Sequence, residues 1–120
     1  IEAKILYDAD KIDVCGATGI ARTLLYQGSS NGALYATRPD GSLADGLGEK
    51  GETFFGEYKR KLEGIYSRLF TARARAIARE RQAAAQAFYK SMLAEVYASR
   101  EKGRELLHAC LTDGASPQDV

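Results

Sequence analysis

The stretch Glu2-Ala3-Lys4-Ile5-Leu6-Tyr7-Asp8-Ala9-Asp10-Lys11-Ile12-Asp13 sets carboxylates among apolar residues at helical spacing. At roughly 100° per residue, Ile1, Ile5, Ala9 and Ile12 form one stripe with Leu6 beside it. Asp13 falls inside this apolar sector and Asp10 at its margin, whereas Asp8 is expected on the opposite, polar side, one turn from Lys4 and next to Lys11. Burying an unpaired carboxylate is expensive, so Asp10 and Asp13 require a metal, a cation or hydrogen-bond donors. Asp8 requires only water and a lysine. Asp13 has a second reading as the cap of the next helix, because Gly16 follows it, and Asp10 a second reading as an ordinary buried hydrogen bond.

The second half of the chain reads as helix. Tyr58, Leu62, Ile65, Tyr66, Leu69 and Phe70 follow i, i+4, i+7, i+8, i+11, i+12, and no proline occurs from Gly56 to Ser116. Thr71 can cap a further helix in which Ala74, Ile77, Ala78, Ala85, Phe88, Tyr89, Met92 and Val96 keep the same period. Leu106, Leu107, Cys110 and Leu111 make a short amphipathic segment past Gly103, and residues 112–120 are expected to form a flexible tail. Between the halves, Gln27 to Gly51 holds six glycines together with the turn formers Asn31-Gly32 and Pro39-Asp40-Gly41. This is longer than the ~12–15 residues usual for structureless loops, so 27–51 is expected to be an irregular loop or a functional cover. The expected architecture is all-α, with a single helical domain over 1–111.

Composition allows one small core: 120 residues, 45% hydrophobic and 28% charged. No apolar run approaches the ~18 residues of a membrane span and no signal peptide is evident, so no membrane partner and a cytoplasmic location are expected. Cys15 and Cys110 make no metal or disulfide pattern, and Cys15 reads as a small buried thiol. Residues 57–82 carry eight basic and three acidic groups, with Arg68, Arg75 and Arg79 expected on one helix face. No aromatics interleave with them, so this reads as a solvated face and nucleic acid is not an expected partner.

The run Asp8-Ala9-Asp10-Lys11-Ile12-Asp13 followed by Gly16-Ala17-Thr18-Gly19-Ile20-Ala21-Arg22-Thr23 resembles the second half of bacterial HD-superfamily phosphohydrolases. Lys61-Leu62, Thr71, Ala76-Ile77-Ala78, Arg81 and Phe88 through Glu95 extend the resemblance over roughly residues 1–97. It departs from many relatives where Glu57-Tyr58 stands in place of a His-Phe pair. The resemblance implies a divalent metal ion (Mn, Mg, Co, Fe or Ni) held by a histidine, a His-Asp pair and a later aspartate. The later aspartate matches Asp10. The other ligands are absent, since the only histidine is His108, outside the matching region.

The chain begins at Ile1 within what reads as a helix already under way, and is therefore expected to be the C-terminal part of a larger protein whose N-terminal half supplies those ligands. On this reading it belongs to a metal-dependent phosphohydrolase of nucleotides or other phosphate esters, inactive alone. Asp10 would be a metal ligand, Asp13 a group orienting a ligand or water, Lys11 and Arg22 phosphate contacts, and Lys61 a weaker candidate. The alternative is a non-catalytic helical interaction module that forms a homo-oligomer or pairs with another protein through exposed apolar surface.

Overall fold

A computed structural model describes residues 1–47 and 53–114. Its elements are α1 (Glu2–Ile12), α2 (Gly16–Ser29), a two-residue hairpin of β1 (Ala36–Thr37) and β2 (Leu43–Ala44), α3 (Phe54–Glu57), a π-helix (Tyr58–Leu62), a 3-10 turn (Ile65–Ser67) and α4 (Ala72–Thr112). The chain is thus helical, with one antiparallel pairing of Ala36 with Ala44 and Thr37 with Leu43. Packing divides it into two compact units, Ile1–Tyr89 and Lys90–Val120, with the division inside α4, where the sequence pattern implies one domain to residue 111.

The core of the first unit has two parts. Phe54 and Phe55 are fully buried, and Tyr58 stacks on Tyr89 with ring centroids 4.2 Å apart and planes 8° from parallel. Phe55 meets Tyr89 edge-on at 5.4 Å, and Phe54 meets Phe88 likewise at 5.9 Å. The second part gathers Cys15, Ile65, Leu69, Ala74 and Ala78, with Ile12, Val14 and Tyr66 against them. Here α2 crosses closely: a Cβ on Gly19 would run into the Val14 carbonyl, and Gly16 takes φ +69 against the Arg81 side-chain stem. Tyr66 accepts from the Gly16 N–H at 2.9 Å and Arg81 donates to the Ile12 carbonyl at 3.1 Å, so the α1–α2 corner is tied to later elements.

Helix α1 corrects the expectation for its aspartates. Asp8, expected on a solvated polar side, is buried, and its two carboxylate oxygens accept from the Phe70 N–H (2.9 Å) and the Thr71 N–H (2.8 Å) at the start of α4. The inward side of α1 is its polar side. Lys4 lies 5.5 Å from the Phe70 ring centroid, Lys11 lies 5.3 Å from that of Tyr7, and Tyr7 meets Phe70 edge-on. Lysine stems and ring faces pack well, and a helix N-terminus supplies the donors a carboxylate needs. Most of the apolar stripe faces outward instead: Ile1, Ile5, Leu6 and Ala9 are exposed, and only Ile12, at its C-terminal end, packs on the core. Burial opposes the Asp8 charge, but the Phe70 and Thr71 N–H groups, the Thr71 hydroxyl and Arg75 together outweigh it, so its pKa is lowered.

Three further expectations change. The single helix read over Tyr58–Phe70 is broken, because the Glu63 N–H reaches five residues back to the Tyr58 carbonyl (2.8 Å) and a 3-10 turn succeeds it. Its apolar positions are nevertheless buried at Tyr58, Leu62, Ile65 and Leu69. Arg68 consequently precedes α4 and shares no helix face with Arg75, whose guanidinium instead donates to the Phe70 carbonyl at 2.7 Å. Gly103 does not interrupt α4, which runs on to Thr112, with Arg104–Glu101 and Lys102–Glu105 pairs flanking it. The Thr71 cap is present, its hydroxyl accepting from the Ala74 N–H at 3.2 Å.

Residues 27–51 are more ordered than a loop where they are described. Helix α2 continues to Ser29, and the Pro39-Asp40-Gly41 turn closes the hairpin through Gly41 N–H to the Arg38 carbonyl (2.8 Å), with Gly41 at φ +86. Asp40 accepts from both the N–H and the hydroxyl of Ser42. The 48–51 part of the expected loop and the 115–120 part of the expected tail lie outside the described residues.

Cys15 has no exposed surface, and burial raises its thiol pKa against the lowering influence of Arg81. Cys110 is partly exposed. A thiol reagent at pH 8 should therefore modify Cys110 readily and Cys15 only on unfolding, at least about 100-fold more slowly. Equal rates at the two thiols would refute the burial of Cys15.

Candidate functional site

Two adjoining clefts open between α1, α2 and the π-helix. One, about 330 Å³, is lined by Arg22, Thr23, Tyr26, Gln27, Glu57 and Lys61, among others. The other, about 390 Å³, is lined by Tyr7, Lys11, Leu62 and Arg68 and shares Val14, Thr23, Glu57 and Lys61 with the first. The sequence candidates Lys11, Arg22 and Lys61 thus converge on one continuous recess, from three elements. A π-helix is uncommon and concentrates at functional sites, and this one carries Lys61 and Leu62 into the recess.

Most of these cations are held by carboxylates. Lys11 pairs with Asp10 at 3.3 Å, Arg22 with Asp13 at 3.2 Å, and Lys61 with Glu57 at 3.2 Å. Arg68 makes no ion pair among the described residues. Anions exchanging for anions at fixed cations is favourable chemistry for a phosphate, whose oxygens accept from Lys and Arg as carboxylates do.

Asp10 and Asp13 are not in a buried sector. Their side chains are 76% and 67% exposed, because the apolar side of α1 on which they lie is uncovered among the described residues. Nor does Asp13 cap α2, whose N-cap is Cys15 with no side-chain bond. No three of His, Cys, Asp or Glu converge to hold a metal ion among the described residues. One exposed carboxylate does not hold a divalent ion against water, so the described residues do not by themselves fit a metal. His108 lies in the second unit.

Sequence reasoning missed Tyr7, Tyr26, Gln27 and Arg68. Gln27 is 6% exposed, and its Oε1 has no hydrogen-bond partner among the described residues. Leaving such an atom unsatisfied costs about 1–3 kcal/mol, which makes it the least settled polar group of the recess. A polar residue after Leu24-Leu25-Tyr26 is the only signal in the sequence, and composition alone does not separate it from a solvated glutamine.

The fold is that of a helical fragment found in several bacterial proteins. No protein-family profile and no curated protein matches the chain. Among solved structures, it is similar to Bacillus subtilis YpgQ in complex with ADP, at TM-score 0.64 and 24% identity over 79% of this chain and 45% of that one. The Lin1889 protein of Listeria innocua matches at TM-score 0.64 and 33% identity, over 78% of this chain and 46% of that one. A Lactobacillus plantarum protein matches at TM-score 0.68 and 29% identity, over 82% and 50%. The chain spans half or less of the length of each. No helix among the described residues is long and apolar enough to cross a membrane.

Proposed function

We propose that the chain carries the phosphate-binding wall of an HD-type metal-dependent phosphohydrolase acting on nucleotides or other phosphate esters. The observation that carries this is the convergence of Lys11, Arg22 and Lys61 on one recess, with Asp10 3.3 Å from Lys11. The ADP bound by YpgQ is support from a structural neighbour. Lys11 and Arg22 exchange their aspartate partners for phosphoryl oxygens, and Lys61 does the same with Glu57. Asp13 positions Arg22. Asp10 is this chain's contribution to a divalent metal site whose histidine and His-Asp ligands come from polypeptide outside it, packed on the uncovered face of α1.

The test is hydrolysis of a panel of nucleotides and simple phosphate esters with Mn²⁺, Mg²⁺ or Co²⁺, by this chain alone and by a longer protein that contains it together with the His and His-Asp motifs. Chelator-sensitive turnover by the longer protein and none by the chain is expected. Turnover by the chain alone, or none by the longer protein, would overturn the proposal. The exposed Ile5 and Leu6 of α1 and Leu25 of α2 favour a second reading, a helical module that associates through exposed apolar side chains without catalysis. Concentration-dependent self-association together with an inactive longer protein would select it.

A further inference from the structure

One carboxylate of the recess cannot leave it. Glu57 ends α3, whose Phe54, Phe55 and Gly56 are buried, and Tyr58 after it is buried as well. The Thr53 hydroxyl accepts from the Gly56 N–H at 2.9 Å and closes the turn that carries them, so the backbone of Glu57 is pinned on both sides. Its side chain is 23% exposed and lines both clefts, with Lys61 at 3.2 Å and Arg60 at 4.0 Å. Asp10 and Asp13 differ: they line neither cleft, and at 76% and 67% exposure they turn into water when an anion takes Lys11 or Arg22 from them. Glu57 stays where the anion arrives. Among the described residues that line the two clefts, Lys11, Arg22, Lys61 and Arg68 are cationic and Glu57 alone is anionic.

We propose that Glu57 is the charge-selecting residue of the recess, a fixed negative charge that admits one phosphate group and repels a chain of them. A single phosphate is served from one cleft, where Lys61 and one neighbouring cation outweigh the repulsion. A chain of phosphates must run from one cleft into the other, and Glu57 borders both. Each added phosphate then brings further like charge past a partly buried carboxylate, where water and salt screen little. The inference rests on the phosphate-ester reading and narrows it to esters of a single phosphate.

The test is calorimetric titration of the chain at low salt with phosphate, pyrophosphate and tripolyphosphate, for the wild type, Glu57→Gln and Glu63→Gln. Wild-type affinity should stay within about threefold along the series. Glu57→Gln should bind tripolyphosphate at least about tenfold more tightly than the wild type and phosphate at most about threefold more tightly, and the gain should shrink in about 0.5 M salt. Glu63, paired with Lys59, lines neither cleft, so Glu63→Gln should follow the wild type. Glu57→Ala removes the same charge and serves if Glu57→Gln does not fold. A wild-type affinity that climbs steeply along the series, or a Glu57→Gln that leaves every affinity unchanged or weakens all three alike, overturns the selecting role and leaves the phosphate reading intact. No binding of any of the three by wild type or variants overturns both.

Discussion

Asp10→Asn should abolish most phosphohydrolase activity of the longer protein, at least about 100-fold, while leaving its melting temperature unchanged; Asp8→Asn should do the reverse. Asp10 is exposed and its ion pair is with Lys11, so an amide there costs the fold almost nothing. Asp8 is buried and joins α1 to the start of α4 through two backbone N–H groups. An asparagine there keeps one acceptor and turns an NH₂ against the other N–H, leaving a buried donor unpaired. The thermal midpoint should fall by roughly 5–10 °C.

The same group fixes an acid limb. Its native pKa lies below that of the unfolded chain, so the unfolded state binds the proton more readily. The stabilisation is then complete above the ordinary carboxylate value of about 3.9 and is lost as pH falls through the lowered native value. Thermal scans from pH 7 to 2.5 should show this loss in the wild type and a flatter dependence in Asp8→Asn. Inactivation of the longer protein by Asp8→Asn at unchanged stability, with Asp10→Asn active, would sink both assignments.

Phe55→Ala should destabilise the first unit by about 3–5 kcal/mol, a large part of the ~5–15 kcal/mol of an ordinary domain. Phe55 is fully buried and meets the rings of Tyr35, Phe54 and Tyr89. Phe88, 40% exposed and edge-on to Phe54, should lose about 1 kcal/mol as alanine. Urea midpoints at constant m-value measure both. A larger loss at Phe88 than at Phe55 would show that the aromatic cluster is not the core of this unit.

The helical class, the Thr71 cap and the buried Tyr58, Leu62, Ile65, Leu69, Ala74, Ala78, Ala85 and Tyr89 are legible in the sequence because they depend on period and local chemistry, whereas Phe70 and Phe88, in the same pattern, are exposed. Lys11, Arg22 and Lys61, singled out by family resemblance, line the recess. The facing of α1 is not legible in the sequence. A helical wheel ranks residues by type, and Asp8 with Lys4 and Lys11 ranks as a wet face. What buries Asp8 is the N-terminus of α4, more than sixty residues away, with the Phe70 ring beside it. The break at 58–67 is hidden for a related reason: α, π and 3-10 turns bury nearly the same positions, so the apolar pattern survives the change of hydrogen bonding. Gln27 and Tyr26 escape because only the cleft makes them neighbours of Lys61.

The π-helix stores one residue more than an α-helical turn of the same span, between the Tyr58 carbonyl and the Glu63 N–H. The wider turn absorbs that residue, so removing one from 59–61 would restore α-helical hydrogen bonding and leave Leu62, Ile65 and Arg68 on nearly the same faces of the recess. The wall of the recess can therefore gain or lose a residue here without moving the elements that follow. An uninterrupted helix would pass the same change on as a turn of about 100° in everything downstream.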